Sequence, residues 1–159
     1  MPTLYILCGP AGCGKSTWAH QIVSRNIAEG GDVRWASRDE FRFAMLKEGE
    51  DYFSHEKATF RKFANCISET LIDGFDIIAD ATHLNKFARK KLTQAIDRRY
   101  TDYKIVYVVF TADPEVCVER NRNRTGRRFV PENVIRDMCR KFEPPTYEED
   151  PRIVGIVSV

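Results

Sequence analysis

Apolar positions along this chain fall into two spacings. Apolar runs of strand length, near residues 3–8, 33–37, 75–80, 103–110 and 152–158, alternate with longer amphipathic stretches over 15–29, 39–48, 55–73, 85–99, 114–121 and 131–141. Strands alternating with helical patterns predict βαβ units and therefore a parallel sheet. Gly30-Gly31, Asp113-Pro114 and a first-turn Pro131 punctuate the pattern where helices should stop and start. Arg122 to Val130 has no apolar periodicity, contains Thr125-Gly126 and lies between two predicted helices, which marks it as a lid candidate. Pro144 to Pro151 reads as a non-helical connection into the last strand, within one domain rather than between two. There is no internal repeat or Gly/Ser linker, so the expectation is a single α/β domain over residues 1–159, with a lid at about 120–130.

Composition adds little to that picture, and charge adds more. The 159 residues are 43% hydrophobic, enough for one core without staples. The net charge is only +2, yet five arginines fall between Arg120 and Arg128, and a second basic cluster spans Lys86 to Lys91. Charge so localised suits a phosphate-rich site better than a general basic coat. The five cysteines, Cys8, Cys13, Cys66, Cys117 and Cys139, form no C-x-x-C pair and no metal-ligand spacing with the three histidines. That usage points to a reducing cytoplasm. The apolar opening Leu4 to Cys8 is too short for a signal or membrane segment, so no membrane partner is expected.

The most specific chemistry follows the first strand. Gly9-Pro10-Ala11-Gly12-Cys13-Gly14-Lys15-Ser16 fits G-x-x-x-x-G-K-[ST] between an apolar strand and a helical stretch beginning at Thr17. A Gly-rich turn opening a helix offers convergent N–H donors that no side chain screens, which is what triphosphate oxygens need. Gly9, Gly12, Cys13, Gly14, Lys15, Ser16 and Thr17 are thus the candidate ATP-binding residues. Lys15 is expected on the β/γ-phosphates and Ser16 on Mg²⁺.

Three further constellations follow. In Ser37-Arg38-Asp39-Glu40-Phe41-Arg42, Asp39 starts a helix and Arg42 lies one turn later, so a carboxylate and a guanidinium could grip a hydroxyl and an adjacent phosphate. Asp39 has two readings, a general base for that hydroxyl or a first-turn carboxylate stabilised by the helix dipole. Asp80 ends the apolar strand Phe75 to Ala79, in the place of a Walker-B carboxylate. It could hold a Mg²⁺-bound water near Ser16 or orient Arg42. Thr82 and His83 follow it in a polar loop, and His83 is given no role beyond acceptor contact. In Glu119 to Arg128, an arginine delivered by a closing lid would stabilise the transferring phosphoryl group, and Arg120 and Arg124 are the candidates. The remaining arginines of the run read as a solvated basic loop.

With these motifs in order, the chain resembles the 5′-kinase domain of phage-type polynucleotide kinases, P-loop phosphotransferases built like adenylate kinase. The resemblance rests on Gly9 to Trp18, Arg38 to Arg42, Asp80 to Asn85, and Arg120 to Pro131. It implies a P-loop kinase fold, a five-stranded parallel sheet flanked by helices with an arginine-rich lid. It also implies transfer of the γ-phosphate of ATP, with Mg²⁺, to the 5′-hydroxyl end of DNA or RNA, as in nucleic acid repair. Asp39 would be the general base, and Arg42 would bind the phosphate 3′ to the attacked nucleotide. Arg38, Asp80 and Thr82 would complete the acceptor side, and Arg124 would contact the donor phosphates, with Arg122 the alternative under a shifted alignment. The bifunctional phage enzymes carry a D-x-D-x-T phosphatase motif that this sequence lacks, so 3′-phosphatase activity is not expected. Two other functions fit the same motifs: a P-loop kinase of a small hydroxyl acceptor, zeta-toxin-like or for a nucleoside or sugar, and a non-catalytic ATP-dependent binding module.

Overall fold

The computed structural model describes residues 1–159, apart from the side chain of Arg127. Five strands, β1 (Thr3–Cys8), β2 (Arg34–Ser37), β3 (Ile77–Asp80), β4 (Lys104–Val109) and β5 (Ile153–Ser158), form one sheet in the order β2-β3-β1-β4-β5. Every pairing is parallel. The crossovers are made by α1 (Lys15–Ala28), α2 (Arg38–Met45), α3 (Glu56–Ile72), α4 (Lys86–Asp97), α5 (Pro114–Arg122) and α6 (Glu132–Lys141). The predicted α/β architecture and its element order are those observed, with ends that coincide or are displaced by up to three residues.

The sheet buries both faces, as a parallel sheet must. Leu4, Ile6 and Cys8 of β1 pack with Phe63, Ile67 and Leu71 of α3 and Leu92 and Ile96 of α4. Leu7 of the same strand packs on the opposite face with Ala19 of α1, Cys117 and Val118 of α5, and Ile135 of α6. The period-2 alternation within β1 thus assigns successive side chains to different helical layers.

Local chemistry accounts for the boundary shifts. Ser37 caps α2, its side chain accepting from the Glu40 N–H at 3.4 Å, so the helix begins at Arg38 and Asp39 lies within its first turn. At the other end Leu46 is extended, which stops α2 at Met45 rather than near residue 48. The lid candidate contains a single 3₁₀ turn, Gly126–Arg128. Its two ends are clasped by one side chain: the buried Asn121 amide donates to the Val130 carbonyl at 2.6 Å and accepts from the Val130 N–H at 3.1 Å. The connection into β5 also holds a 3₁₀ turn, Tyr147–Glu149, closed by a capping box between Thr146 and Glu149. No helix among the described residues is long and apolar enough to cross a membrane.

Candidate active site

The P-loop leaves the central strand and turns into α1. Gly12 has φ 81° and Gly14 φ 99°, in the left-handed region that favours glycine. A Cβ at Gly12 would lie 2.5 Å from the Cys117 carbonyl oxygen, so α5 packs directly on the loop backbone. Gly14 caps α1 without a side-chain hydrogen bond, which leaves the first-turn amides of the helix open to an anion. Lys15 is buried and folded back on the loop, its Nζ donating to the carbonyls of Gly9 at 3.0 Å and Pro10 at 2.7 Å, with the Cys13 Sγ at 3.5 Å. Gly9 itself donates to the Thr82 carbonyl at 2.9 Å, which joins the P-loop to the loop after β3. Thr17 is exposed one residue beyond Ser16.

Asp80 closes the site from the end of β3. Its Oδ2 accepts from the Ser16 hydroxyl at 2.9 Å and from the Trp35 indole N–H at 3.2 Å. Burial raises its pKa, while Lys15 and these two hydrogen bonds pull it down. Asp39 pushes it upward, which fits the register: Ser37 of β2 pairs with Asp80, so α2 starts beside it. His83 turns away from the site, its Nδ1 2.7 Å from the Leu7 carbonyl and its ring stacked on Phe63.

The first turn of α2 carries a polar cluster. The Asp39 side chain is 49% exposed and pairs with Arg42, whose own side chain is only 7% exposed. Glu56 of α3 takes the other edge of that guanidinium, with contacts of 2.9 and 3.1 Å, and also pairs with Arg38. The Tyr52 hydroxyl lies between them, accepting from Arg42 at 2.7 Å and donating to Asp39 Oδ1 at 2.8 Å. Burial opposes the Arg42 charge, yet hydrogen bonding to Glu56 and the neighbouring anionic groups hold its pKa above the ordinary value. Burial and Asp39 likewise push Tyr52 upward, which keeps its hydroxyl a donor.

The arginine run divides. Arg120 donates to the Cys13 carbonyl at 2.7 Å and covers Gly14, so it rests on the P-loop. Arg124 bonds within the arm, to the Arg128 carbonyl at 3.4 Å, and Arg122 pairs with Glu119 on the surface. Arg128 crosses to α2, pairing with Glu40 and lying 5.8 Å from the centre of the Phe43 ring. The structure therefore gathers the P-loop, Asp80, Thr82, Asp39 and Arg120 at one sheet edge, with Arg38 and Arg42 behind Asp39 and Arg124 farther out on the arm. Spacing gave no sign of Trp35, Tyr52 or Glu56. Their contacts join residues 45, 13 and 14 positions apart, beyond any helical or strand period.

The donor set suits a hard cation and a polyphosphate. No group of three or more His, Cys, Asp or Glu side chains able to hold a metal occurs among the described residues. A Mg²⁺ ion would therefore depend on the Ser16 hydroxyl, with Asp80 behind it, and on phosphate oxygens, which is the usual way this ion is held.

A central strand running into a P-loop, an aspartate ending the neighbouring strand and helices on both faces define a P-loop kinase-like α/β fold. Within that class the chain belongs to the AAA domain family, whose model matches residues 4–145. Three solved structures are similar in fold. Chaetomium thermophilum Kti12, in complex with ADP-AlF3, is 15% identical over 98% of this chain and 88% of its own, with a TM-score of 0.68. A fungal RNA kinase is 13% identical with a TM-score of 0.66; the match covers 100% of this chain but only 38% of that one. A sugar kinase from Janibacter is 17% identical over 99% of this chain and 86% of its own, with a TM-score of 0.64.

Proposed function

We propose that this chain is an ATP-dependent polynucleotide kinase that transfers the γ-phosphoryl group of ATP to the 5′-hydroxyl end of DNA or RNA. The observation that carries the reading is the half-exposed Asp39 carboxylate, oriented by Tyr52 and Arg42, beside the Ser16–Asp80 pair of the P-loop. The order of motifs along the chain and the fold shared with an RNA kinase support the acceptor.

The P-loop amides and Lys15, released from its own carbonyls, would hold the phosphates, and Ser16 would hold Mg²⁺, which supplies charge neutralisation between phosphate oxygens. The acceptor oxygen forms a bond to the γ-phosphorus as the bond from that phosphorus to the bridging oxygen breaks. ADP leaves, and the hydroxyl proton passes to Asp39. Arg120 on the P-loop and Arg124 on the arm would stabilise charge on the transferring group. Arg38, Arg42 and Thr82 would border the acceptor's backbone. Arg42 acts through Asp39 as a positioning residue as well as a phosphate contact.

The test is transfer of labelled γ-phosphate to a 5′-hydroxyl oligonucleotide, a 5′-phosphorylated one, a nucleoside 3′-monophosphate and a bare nucleoside. Labelling of the first and third alone is the expected result. Asp39→Asn should retain ATP binding while kcat falls at least ~100-fold; unchanged turnover would remove Asp39 from the chemistry.

One observation favours a second reading. Arg42 is already paired to Asp39 and Glu56 and is nearly enclosed, as suits a site whose acceptor brings no phosphate of its own. A kinase of a small hydroxyl compound would label the bare nucleoside, or a free sugar added to the same assay, and ignore the oligonucleotides.

A further inference from the structure

Three aromatic rings meet edge to face beside Asp39. Phe43 of α2 and Tyr52 have ring centres 6.3 Å apart at 67°, and Tyr52 and Phe53 are 4.8 Å apart at 85°. The inner end of this row belongs to the site already described: the Tyr52 hydroxyl donates to Asp39, and the Arg42 guanidinium lies 4.2 Å over the Tyr52 ring. The outer end is open. Phe53 is 63% exposed, whereas Phe41, on the same helix as Phe43, packs against the core.

An aromatic ring in water next to a fixed polar cluster is a surface for another flat apolar group, and every nucleobase presents one. Position makes the match specific. A nucleoside whose 5′-hydroxyl reaches Asp39 carries its base one sugar farther out, and the Tyr52 ring leads from that carboxylate outward to Phe53. Two guanidiniums lie against the row, Arg42 over Tyr52 and Arg128 near Phe43, and both are neutralised by carboxylates, Asp39 with Glu56 and Glu40, so base stacking rather than charge is what the row offers.

We propose that Phe53, backed by Tyr52 and Phe43, is a stacking platform for the base of the acceptor's 5′-terminal nucleotide. The proposal rests on the polynucleotide reading of the site. Stacking of this kind is tolerant of sequence, so the platform gives affinity for an end and little preference among bases.

The experiment uses two oligonucleotides, one with 2-aminopurine on the 5′-terminal nucleotide and one with an abasic sugar there. Each is given to the wild type, Phe53→Ala and Phe53→Trp; because Phe53 is exposed, neither change opens a cavity in the core. Wild-type protein should quench 2-aminopurine fluorescence without ATP, and Phe53→Ala should lose the quench. In phosphorylation, Phe53→Ala should raise the KM of the base-bearing acceptor about 5- to 100-fold more than that of the abasic one, and Phe53→Trp should restore it. Equal changes for the two acceptors, or none for either, would overturn the platform while leaving the kinase reading intact. If the wild type labels no oligonucleotide, the acceptor reading fails, and the platform with it.

Discussion

His83 is the one non-glycine residue with a positive φ, 42°, among the described residues, and its imidazole is buried against Phe63. The Leu7 carbonyl can only accept, so Nδ1 carries the proton of a neutral ring. Burial lowers its pKa to about 4, against the hydrogen bond to Leu7 and with help from the charges of Arg38, Lys15 and Arg89. Above pH 6.5 neither the folded nor the unfolded imidazole is charged, and the group has no effect on stability. As the pH falls from 6.5 toward 4 only the unfolded chain takes up the proton. Stability is therefore lost over that window, by about 3 kcal/mol at its lower end. His83→Asn tolerates the left-handed backbone and does not titrate, so its melting temperature should fall less steeply than the wild type's between pH 6.5 and 4. Parallel profiles would show that His83 is not the titrating group. The sequence marks His83 as a polar loop residue, and only the fold reveals that it faces inward beneath β1. At the same scale, Lys15, Ser16 and Asp80 were legible because a strand end and a Gly-rich turn constrain them locally. The closure of Arg42 by Glu56 and Tyr52 was not, because α2 and α3 meet only after folding.

Among the elements, α4 and the connection into β5 are joined by one side chain. Arg89 is fully buried and donates to both Glu149 oxygens at 2.9 and 2.7 Å, to the His83 carbonyl at 3.0 Å and to the Glu143 carbonyl at 2.9 Å. Since the next contact along is Gly9 on Thr82, this network holds the loop after β3 against the P-loop. Arg89→Met should cost about 3–5 kcal/mol, because Glu149 would remain buried without its partner. Most of that loss should be recovered by the double change Arg89→Met, Glu149→Leu, and denaturant midpoints at constant slope would measure both. Recovery that fails would mean the carbonyl contacts, not the ion pair, hold the segment. The basic run Lys86 to Lys91 shows why this was hidden. The sequence groups Arg89 with a basic run suited to phosphate, whereas the helical period turns it inward with Leu92, Thr93 and Ile96, onto Glu149. The strands were legible as short apolar runs, and the long helices because their period repeats several times. The 3₁₀ turns at 126–128 and 147–149 repeat nothing; a capping box marks the second, and the first has no side-chain cap.

Across the whole molecule, the proposed ATP site is tied to the core, so nucleotide binding should stabilise the entire fold. At a ligand concentration 100 times the Kd the gain is about 2.7 kcal/mol, which for a domain of this size is a rise of roughly 5–10 °C in melting temperature. Thermal unfolding with Mg²⁺ and ATP should show that rise for the wild type and none for Lys15→Met. An equal rise in both would place the nucleotide elsewhere. The family match over residues 4–145 and the parallel sheet reach the same α/β architecture that the apolar spacing predicts, since a sheet buried on both faces writes its strands as short continuous apolar runs.

Strand order has a mechanical consequence. β1, which carries the P-loop, is bonded to a neighbour on each side, whereas β2, which leads into α2, is an edge strand with β3 alone beside it. The two halves of the proposed reaction thus stand on footings of unequal stiffness, like the fixed and sliding jaws of a vice. Under the proposed reaction the phosphate donor would be seated in the fixed jaw and the hydroxyl brought to it by the other, so that small errors in an incoming acceptor would be absorbed on the side where yielding does not disturb the phosphates.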